Sequence, residues 1–176
     1  VVLNYQNIAH LYQPSSQSGM RQNYEYVVIT TSSLVTSLNG FLTWKTSIGL
    51  NMNIVTKSWI QTNYPASDIQ QSIRNFLIAN YITWGTKYVL IVGSHSSIPM
   101  RTCYPNPNMH INDGVHDIPT DYYYADLTGN WDSDGDGFYG ERGHDNVDFT
   151  PEVWVGRIPV DVGSTVSSIT LKTQNS

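Results

Sequence analysis

Ser67-Asp-Ile-Gln-Gln-Ser-Ile-Arg-Asn-Phe-Leu-Ile-Ala-Asn-Tyr-Ile-Thr-Trp-Gly85, with Tyr88-Val-Leu-Ile-Val-Gly93 three residues further on, is the stretch that decides the fold. In its first half Ile69, Ile73, Phe76, Leu77 and Trp84 recur at helical spacing and line one face. Ser67 with Gln70 three residues later predicts a capping box, and Asp68 sits where the helix dipole favours a negative charge. Gly85 supplies the left-handed stop. The second half is a run of strand length that is apolar on both faces, as a buried parallel strand is.

Working outward, Tyr26-Val-Val-Ile29 reads the same way and makes the first strand. Ser33 then caps a helix whose apolar set is Leu34, Leu38, Phe41, Leu42, the stem of Lys45 and Ile48, closed by Gly49. Gly40 inside it costs about 1 kcal/mol against Ala. Asn51 to Thr56 is the second strand, and Asn63-Tyr-Pro65 lies in the loop that leads to Ser67. Beyond Gly93, residues 94–120 are rich in Pro, Asn and His and read as loop. Tyr122 to Asp126 reads as a short strand, Val153-Trp-Val155-Gly-Arg157 as the fourth strand of the sheet, and 163–173 as a last helix cut short. Alternation of strand and helix with short connections implies right-handed crossovers. The expected fold is therefore α/β: a Rossmann-like three-layer sandwich on a mainly parallel four-stranded sheet, ordered second, first, third, fourth. Residues 1–24 read as an irregular arm, 25–176 as one domain with an acidic insertion over 121–151, and 163–176 as the start of a truncated helix or a linker.

The 176 residues suit one ordinary domain with a real core. Charge is sparse and mildly negative, at −5, and Lys and Arg form no cluster, which argues against nucleic acid or an anionic membrane as partner. The single Cys103 excludes an internal disulfide framework and any cysteine-based zinc site. No apolar run is long enough to span a bilayer, and there is no signal peptide. Without an initiator Met, and ending in a helix, the chain reads as a mature form or an excised piece.

The acid is concentrated in one place. Of the fourteen Asp and Glu residues, Asp121, Asp126, Asp132, Asp134, Asp136, Glu141, Asp145, Asp148 and Glu152 fall in one segment, opposed only by Arg142. Within it Asp132-Ser-Asp-Gly-Asp-Gly137 sets three carboxylates at alternating positions and closes with a glycine, the spacing of an oxygen cage for Ca²⁺. The plain alternative is a solvated acidic surface loop. The motif is not a complete EF-hand: Phe138 offers a carbonyl at position seven, but position twelve is Gly143 rather than Glu. Asp126, Glu141, Asp145 and Asp148 are the candidates to complete the shell. Mg²⁺ is disfavoured by its octahedral demand, and Zn²⁺ by an all-oxygen set with His144 outside the core spacing. Such a loop stays filled at extracellular calcium levels, which points to a secreted or cell-surface protein.

In open parallel sheets ligands bind beyond the carboxyl ends of the strands. Here those ends carry Thr30 to Ser33, Gly93-Ser-His95-Ser, and Arg157. The first turn is not a dinucleotide fingerprint, and no P-loop lysine or nucleophile elbow is present. His95 with Cys103 is the one nucleophile–base pairing to weigh, but its loop offers no glycine for an oxyanion hole, and a histidine at a strand end is more often a packed, hydrogen-bonded residue. His110, His116 and His144 lie among Asp113, Asp117 and Asp145 at irregular spacing, a weak pattern for a transition metal. Glu152 and Arg157 read as an ordering pair or an outer support for the ion.

Four groups of residues, in order, resemble the gingipain-type cysteine peptidases: Trp44-Lys with Gly49-Leu; Tyr88-Val-Leu-Ile-Val-Gly93 with His95 and Ile98-Pro99; Pro119, Asp121 and Tyr124; and Glu152-Val-Trp-Val-Gly-Arg157. The resemblance covers about residues 25 to 172. It implies the first of two α/β subdomains of a caspase-like catalytic domain, with the calcium loop as an insertion. In that family the catalytic histidine and cysteine stand in the second subdomain in His-Gly and Ala-Cys contexts, and neither context occurs here, so no catalytic residue carries over. The resemblance implies a piece of a secreted cysteine endopeptidase, inactive alone, partnered by a second subdomain on the full-length chain and by a protein or peptide substrate. The alternative is a calcium-stabilised extracellular binding or adhesion module without catalysis.

Overall fold

The structure is a computed structural model that describes residues 23–104 and 118–160. Residues 1–22 of the expected arm over 1–24, and the helix expected from 163, fall outside the described residues. Strands β1 (Tyr26–Thr30), β2 (Met52–Thr56), β3 (Tyr88–Val92) and β6 (Trp154–Ile158) form one sheet in the order β2-β1-β3-β6. All three pairings are parallel and in simple register: Tyr26 stands beside both Met52 and Tyr88, and Tyr88 beside Trp154. This is the predicted sheet and order.

Alternation along β1 explains the layers. Val27 and Ile29 point to one face, packed with Val89, Ile91, Ile73, Phe76 and Leu77. Val28 points to the other, packed with Leu90, Val92, Leu34, Leu38 and Phe41. On the second face lies α1 (Asn39–Ser47); on the first lie α2 (Lys57–Asn63) and α3 (Ile69–Trp84). Both faces of the inner strands are thereby dry, which is why their sequences read as unbroken apolar runs.

Several local details differ from the sequence reading. Helix α3 is capped by Asp68 rather than Ser67: its carboxylate accepts the Gln71 amide at 2.7 Å. The shift follows from a second demand on the same side chain, because Arg101 forks Asp68 at 2.8 and 2.9 Å. Gly85 does close α3, at φ +68. The segment after β1 enters as two 3-10 turns, Ser32–Leu34 and Thr36–Leu38, before α1 begins, and Ile48 lies past the end of α1, 58% exposed, not in the core. Helix α2 occupies residues left between the second strand and the expected loop. Thr56 caps it by accepting Trp59 N at 3.3 Å, and Ile60 alone is buried, too short a pattern to show a period.

The 94–120 loop carries a small antiparallel hairpin, β4 (Arg101–Cys103) with β5 (Ile118–Thr120). Tyr122–Tyr124 is a 3-10 turn, not a strand. Three tyrosines have strand propensity, but Tyr123 and Tyr124 are both fully buried, and a strand would send neighbours to opposite faces. Tyr123 instead packs edge-on against Tyr124, Trp131 and Tyr139.

Candidate metal centre

The acidic loop leaves the fold after Ala125 and returns at Glu152, and backbone bonds close its root: Glu152 N donates to Ala125 O at 3.0 Å. Glu152 also clamps the outgoing limb, its Oε2 accepting Leu127 N at 2.6 Å and its Oε1 the Thr128 hydroxyl at 2.7 Å. It does not pair with Arg157. That guanidinium forks Asp121, two contacts of 2.6 Å, and donates to the carbonyls of Gly93 and Ile98 at 2.7 and 2.9 Å. Asp121 was hidden among nine acids, and no spacing rule marks it as the partner of Arg157.

Beneath the acidic loop sits Arg74, a buried guanidinium on α3. It donates to the carbonyls of Tyr123, Asp126 and Gly129, the shortest contact being 2.6 Å to Gly129. One cation on the core side thus orders the backbone from which the loop springs. Arg101 does similar work nearby, lying 3.9 Å from the Tyr139 ring centroid and 4.6 Å from that of Tyr123.

At the tip, the folded loop brings together Asp132, Asp134 and Asp136, with one ligand oxygen from each within 4.8 Å of the others. Ca–O bonds of about 2.3–2.6 Å place two oxygens on one ion no more than about 5 Å apart, so this set fits a single ion. Gly137 has φ +85, which reverses the chain and lets its amide donate to Asp132 Oδ1 at 3.2 Å. Asp136 Oδ1 accepts Phe138 N at 2.8 Å. A second grouping shares Asp134: Asp134, Glu141 and His144 also converge within 4.8 Å. His144 Nδ1 lies 3.7 Å from Asp134 Oδ2 and 3.9 Å from Glu141 Oε2, and the Glu141 side chain is wholly buried. Spacing from Asp132 had set His144 aside; only the turn at Gly140 and Gly143, both at positive φ, folds it back.

The remaining expected ligands stand elsewhere. Both oxygens of Asp145 accept backbone amides, Ser133 N at 2.6 Å and Glu141 N at 2.9 Å, so it ties the two sides of the loop together. Asp126 and Asp148 lie at the root, not in either tip grouping. Asp126 Oδ1 accepts Gly129 N at 2.7 Å, and Asp148 Oδ1 accepts Thr150 N at 2.7 Å. His110 and His116 are outside the described residues.

The strand-end pairing of His95 and Cys103 is not set up for nucleophilic chemistry. His95 Nδ1 accepts the Met100 amide at 3.1 Å, which orders the loop after β3. Cys103 is buried on β4, donates to Arg101 O, and burial pushes its thiol up to about 12, against the pull of Arg101. A nucleophilic cysteine needs the opposite shift.

Three comparisons with known proteins bear on this fold. The profile of peptidase family C25 matches residues 20–176. No curated protein matches the chain in sequence. Among solved structures, the fold is similar to the Arg-specific cysteine proteinase gingipain R, with 21% identity and a TM-score of 0.56 over 89% of this chain. It is also similar to a complex of the pro- and mature domains of RgpB from Porphyromonas gingivalis, with 21% identity, a TM-score of 0.56 and 85% of this chain covered, and 27% of that one. A third likeness is to dimeric latent PorU from Porphyromonas gingivalis, at 14% identity and TM-score 0.60 over 86% of this chain and 15% of that one. The chain spans 28% of the length of the gingipain R chain it matches.

Proposed function

We propose, from the premise that this chain belongs to peptidase family C25, that it is the amino-terminal subdomain of a secreted cysteine endopeptidase, framing the substrate cleft without supplying the nucleophile. The observation that carries this reading is the state of Cys103: buried, held as a thiol, and bonded to a backbone carbonyl rather than to an imidazole. Catalysis then belongs to a second subdomain on the same full-length chain, and the substrate is a protein or peptide. Among the described residues no helix is long and apolar enough to cross a membrane.

The test is a thiol-dependent peptidase assay on residues 1–176 alone and on the longer protein, each with and without Cys103→Ala. The reading expects no cleavage by the short chain and unchanged cleavage by the longer one when Cys103 is replaced. Activity of the short chain that disappears in Cys103→Ala would overturn it.

In this reading the loop tip holds one Ca²⁺ through Asp132, Asp134 and Asp136, with the Phe138 carbonyl and Glu141 completing the shell and Asp145 fixing the loop around them. The geometry that supports it is the convergence of the three carboxylates and the return of the Gly137 amide onto Asp132. When bound, the ion neutralises carboxylates that otherwise repel one another. Binding to the folded form alone stabilises it by RT ln(1 + [L]/Kd), about 2.7 kcal/mol at a hundredfold excess over Kd.

A further inference from the structure

Strand β2 is an edge: β1 lies on one side of it, and among the described residues no strand lies on the other. A groove of about 330 Å³ runs along that free side, lined by Asn53, Ile54, Val55, Thr56 and Trp59. Consecutive strand residues send their side chains to opposite faces, so a hollow that touches four in a row lies against the edge itself, beside the main chain. Trp59, in the first turn of α2 and 44% exposed, forms its wall. Charges and prolines are what keep a free edge from pairing, and Met52-Asn-Ile-Val-Thr56 has neither. The opposite edge, β6, carries Arg157 bound to Asp121 and is followed at once by Pro159.

The chain enters the fold next to the unguarded edge. Asn23, the first described residue, accepts a bond at its carbonyl from the Asn51 side-chain amide, and Asn51 immediately precedes β2. Residues 14–22 span up to about 30 Å when extended, more than the roughly 17 Å of a five-residue strand. Residues 1–12 therefore reach any point along β2. Charged residues make up 13% of the chain, yet none of Asp, Glu, Lys or Arg occurs in residues 1–20. Val1, Val2, Tyr5, Ile8 and Tyr12 are β-branched or aromatic, the side chains that favour strands. The family match starts at residue 20, beyond this stretch.

We propose that residues 1–12 dock in the groove as a fifth strand of the sheet, antiparallel to β2. The direction follows from the connection. β2 runs away from Asn51, whereas the arm ends beside Asn51, so a segment lying along the edge must descend against β2. An antiparallel edge strand on an otherwise parallel sheet is a common arrangement. Pro14-Ser-Ser-Gln-Ser-Gly19 supplies the turn-forming link. Pairing of this kind satisfies the main-chain groups of β2 that point away from β1, and it covers Ile54 and Trp59. It also closes the edge to a second chain.

Amide exchange on the 176-residue chain and on a triple variant, Tyr5→Pro with Ile8→Pro and Leu11→Pro, tests the proposal. Proline cannot donate to a ladder, and every five-residue register within 1–12 contains one of these positions. Slow exchange is expected at all the amides of β2 in the intact chain. In the variant the alternate β2 amides, those directed away from β1, should exchange about tenfold faster, with β1 and β3 unchanged. Exchange in β2 that is alike in the two chains overturns the proposal, and so does fast exchange at alternate β2 amides of the intact chain. Sedimentation at the same concentrations identifies another occupant. Protection of β2 that persists in the variant and rises with concentration, together with the mass of a dimer, gives the edge to a second copy and overturns the proposal as well.

Discussion

The parallel sheet and the acidic loop are built on opposite physical principles within one small domain. In the sheet, Val27, Val28, Ile29, Ile91 and Val92 are each at most 1% exposed, and side chains from both faces fill the space between layers. In the loop, Asp132, Asp136 and Asp145 turn their oxygens onto backbone amides, and few apolar groups are buried beyond Trp131. The sheet is held by removal of apolar surface from water, which no solute need complete. The loop is shaped by carboxylates that accept backbone amides while standing close to one another, so like charge opposes the hydrogen bonds that fold it. A domain of this kind should lose its loop and its core under different conditions.

The largest expected effect lies on the core side. Phe76 is fully buried on α3 and packs edge-on against Tyr64 and Trp84. Phe76→Ala should cost about 3–5 kcal/mol in denaturant unfolding, and by the same amount with calcium as after chelation. A cost that depends on calcium would mean the two regions are not separable.

Asp68 tests the join between core and hairpin. Burial raises its carboxyl, but the bonds from Arg101 and from the Gln71 amide outweigh that and hold it below the usual range. Its stabilising contribution is therefore present at neutral pH and fades as pH falls through its lowered folded value, beneath about 3.9 for a free carboxyl. Asp68→Asn keeps a cap acceptor in its amide oxygen but takes the carboxylate charge away from the buried Arg101 guanidinium, and should cost about 1–2 kcal/mol at pH 7. The gap from wild type should close in urea titrations run toward pH 2. A gap that stayed constant with pH would remove the ion pair from the account.

Asp145 should give the smallest of the three effects and the most local. Asp145→Ala removes the acceptor of Ser133 N and Glu141 N, at about 1 kcal/mol in total stability. Amide exchange should speed at those two positions and not in β1 or β3. Faster exchange spread across the sheet would show the loop to be part of the core's cooperative unit.

The sheet was legible in the sequence because both faces of its inner strands are buried, and Tyr26-Val-Val-Ile29 and Tyr88-Val-Leu-Ile-Val92 therefore carry no polar residue within the run. The D-x-D-x-D-G spacing was legible too, since convergence of alternating side chains is a local property of a tight loop. What stayed hidden was set by distant partners. Arg101 moved the cap of α3 to Asp68, thirty-three positions away, and Asp121 found Arg157 across thirty-six. The tyrosine run misled because tertiary burial of Tyr123 and Tyr124 overrode strand propensity. His144 reaches Asp134 only through glycines at positive φ, which spacing alone does not reveal.

The central claim is that a cation orders the loop while the sheet orders itself. Amide hydrogen exchange on wild type and Asp134→Ala, with calcium and after exhaustive chelation, tests it most directly. The account predicts that calcium slows exchange over residues 132–145 of wild type well beyond any change in β1 and β3, and that Asp134→Ala loses most of this local protection. Loop amides that exchange at one rate with and without calcium, or protection kept in full by Asp134→Ala, would contradict it.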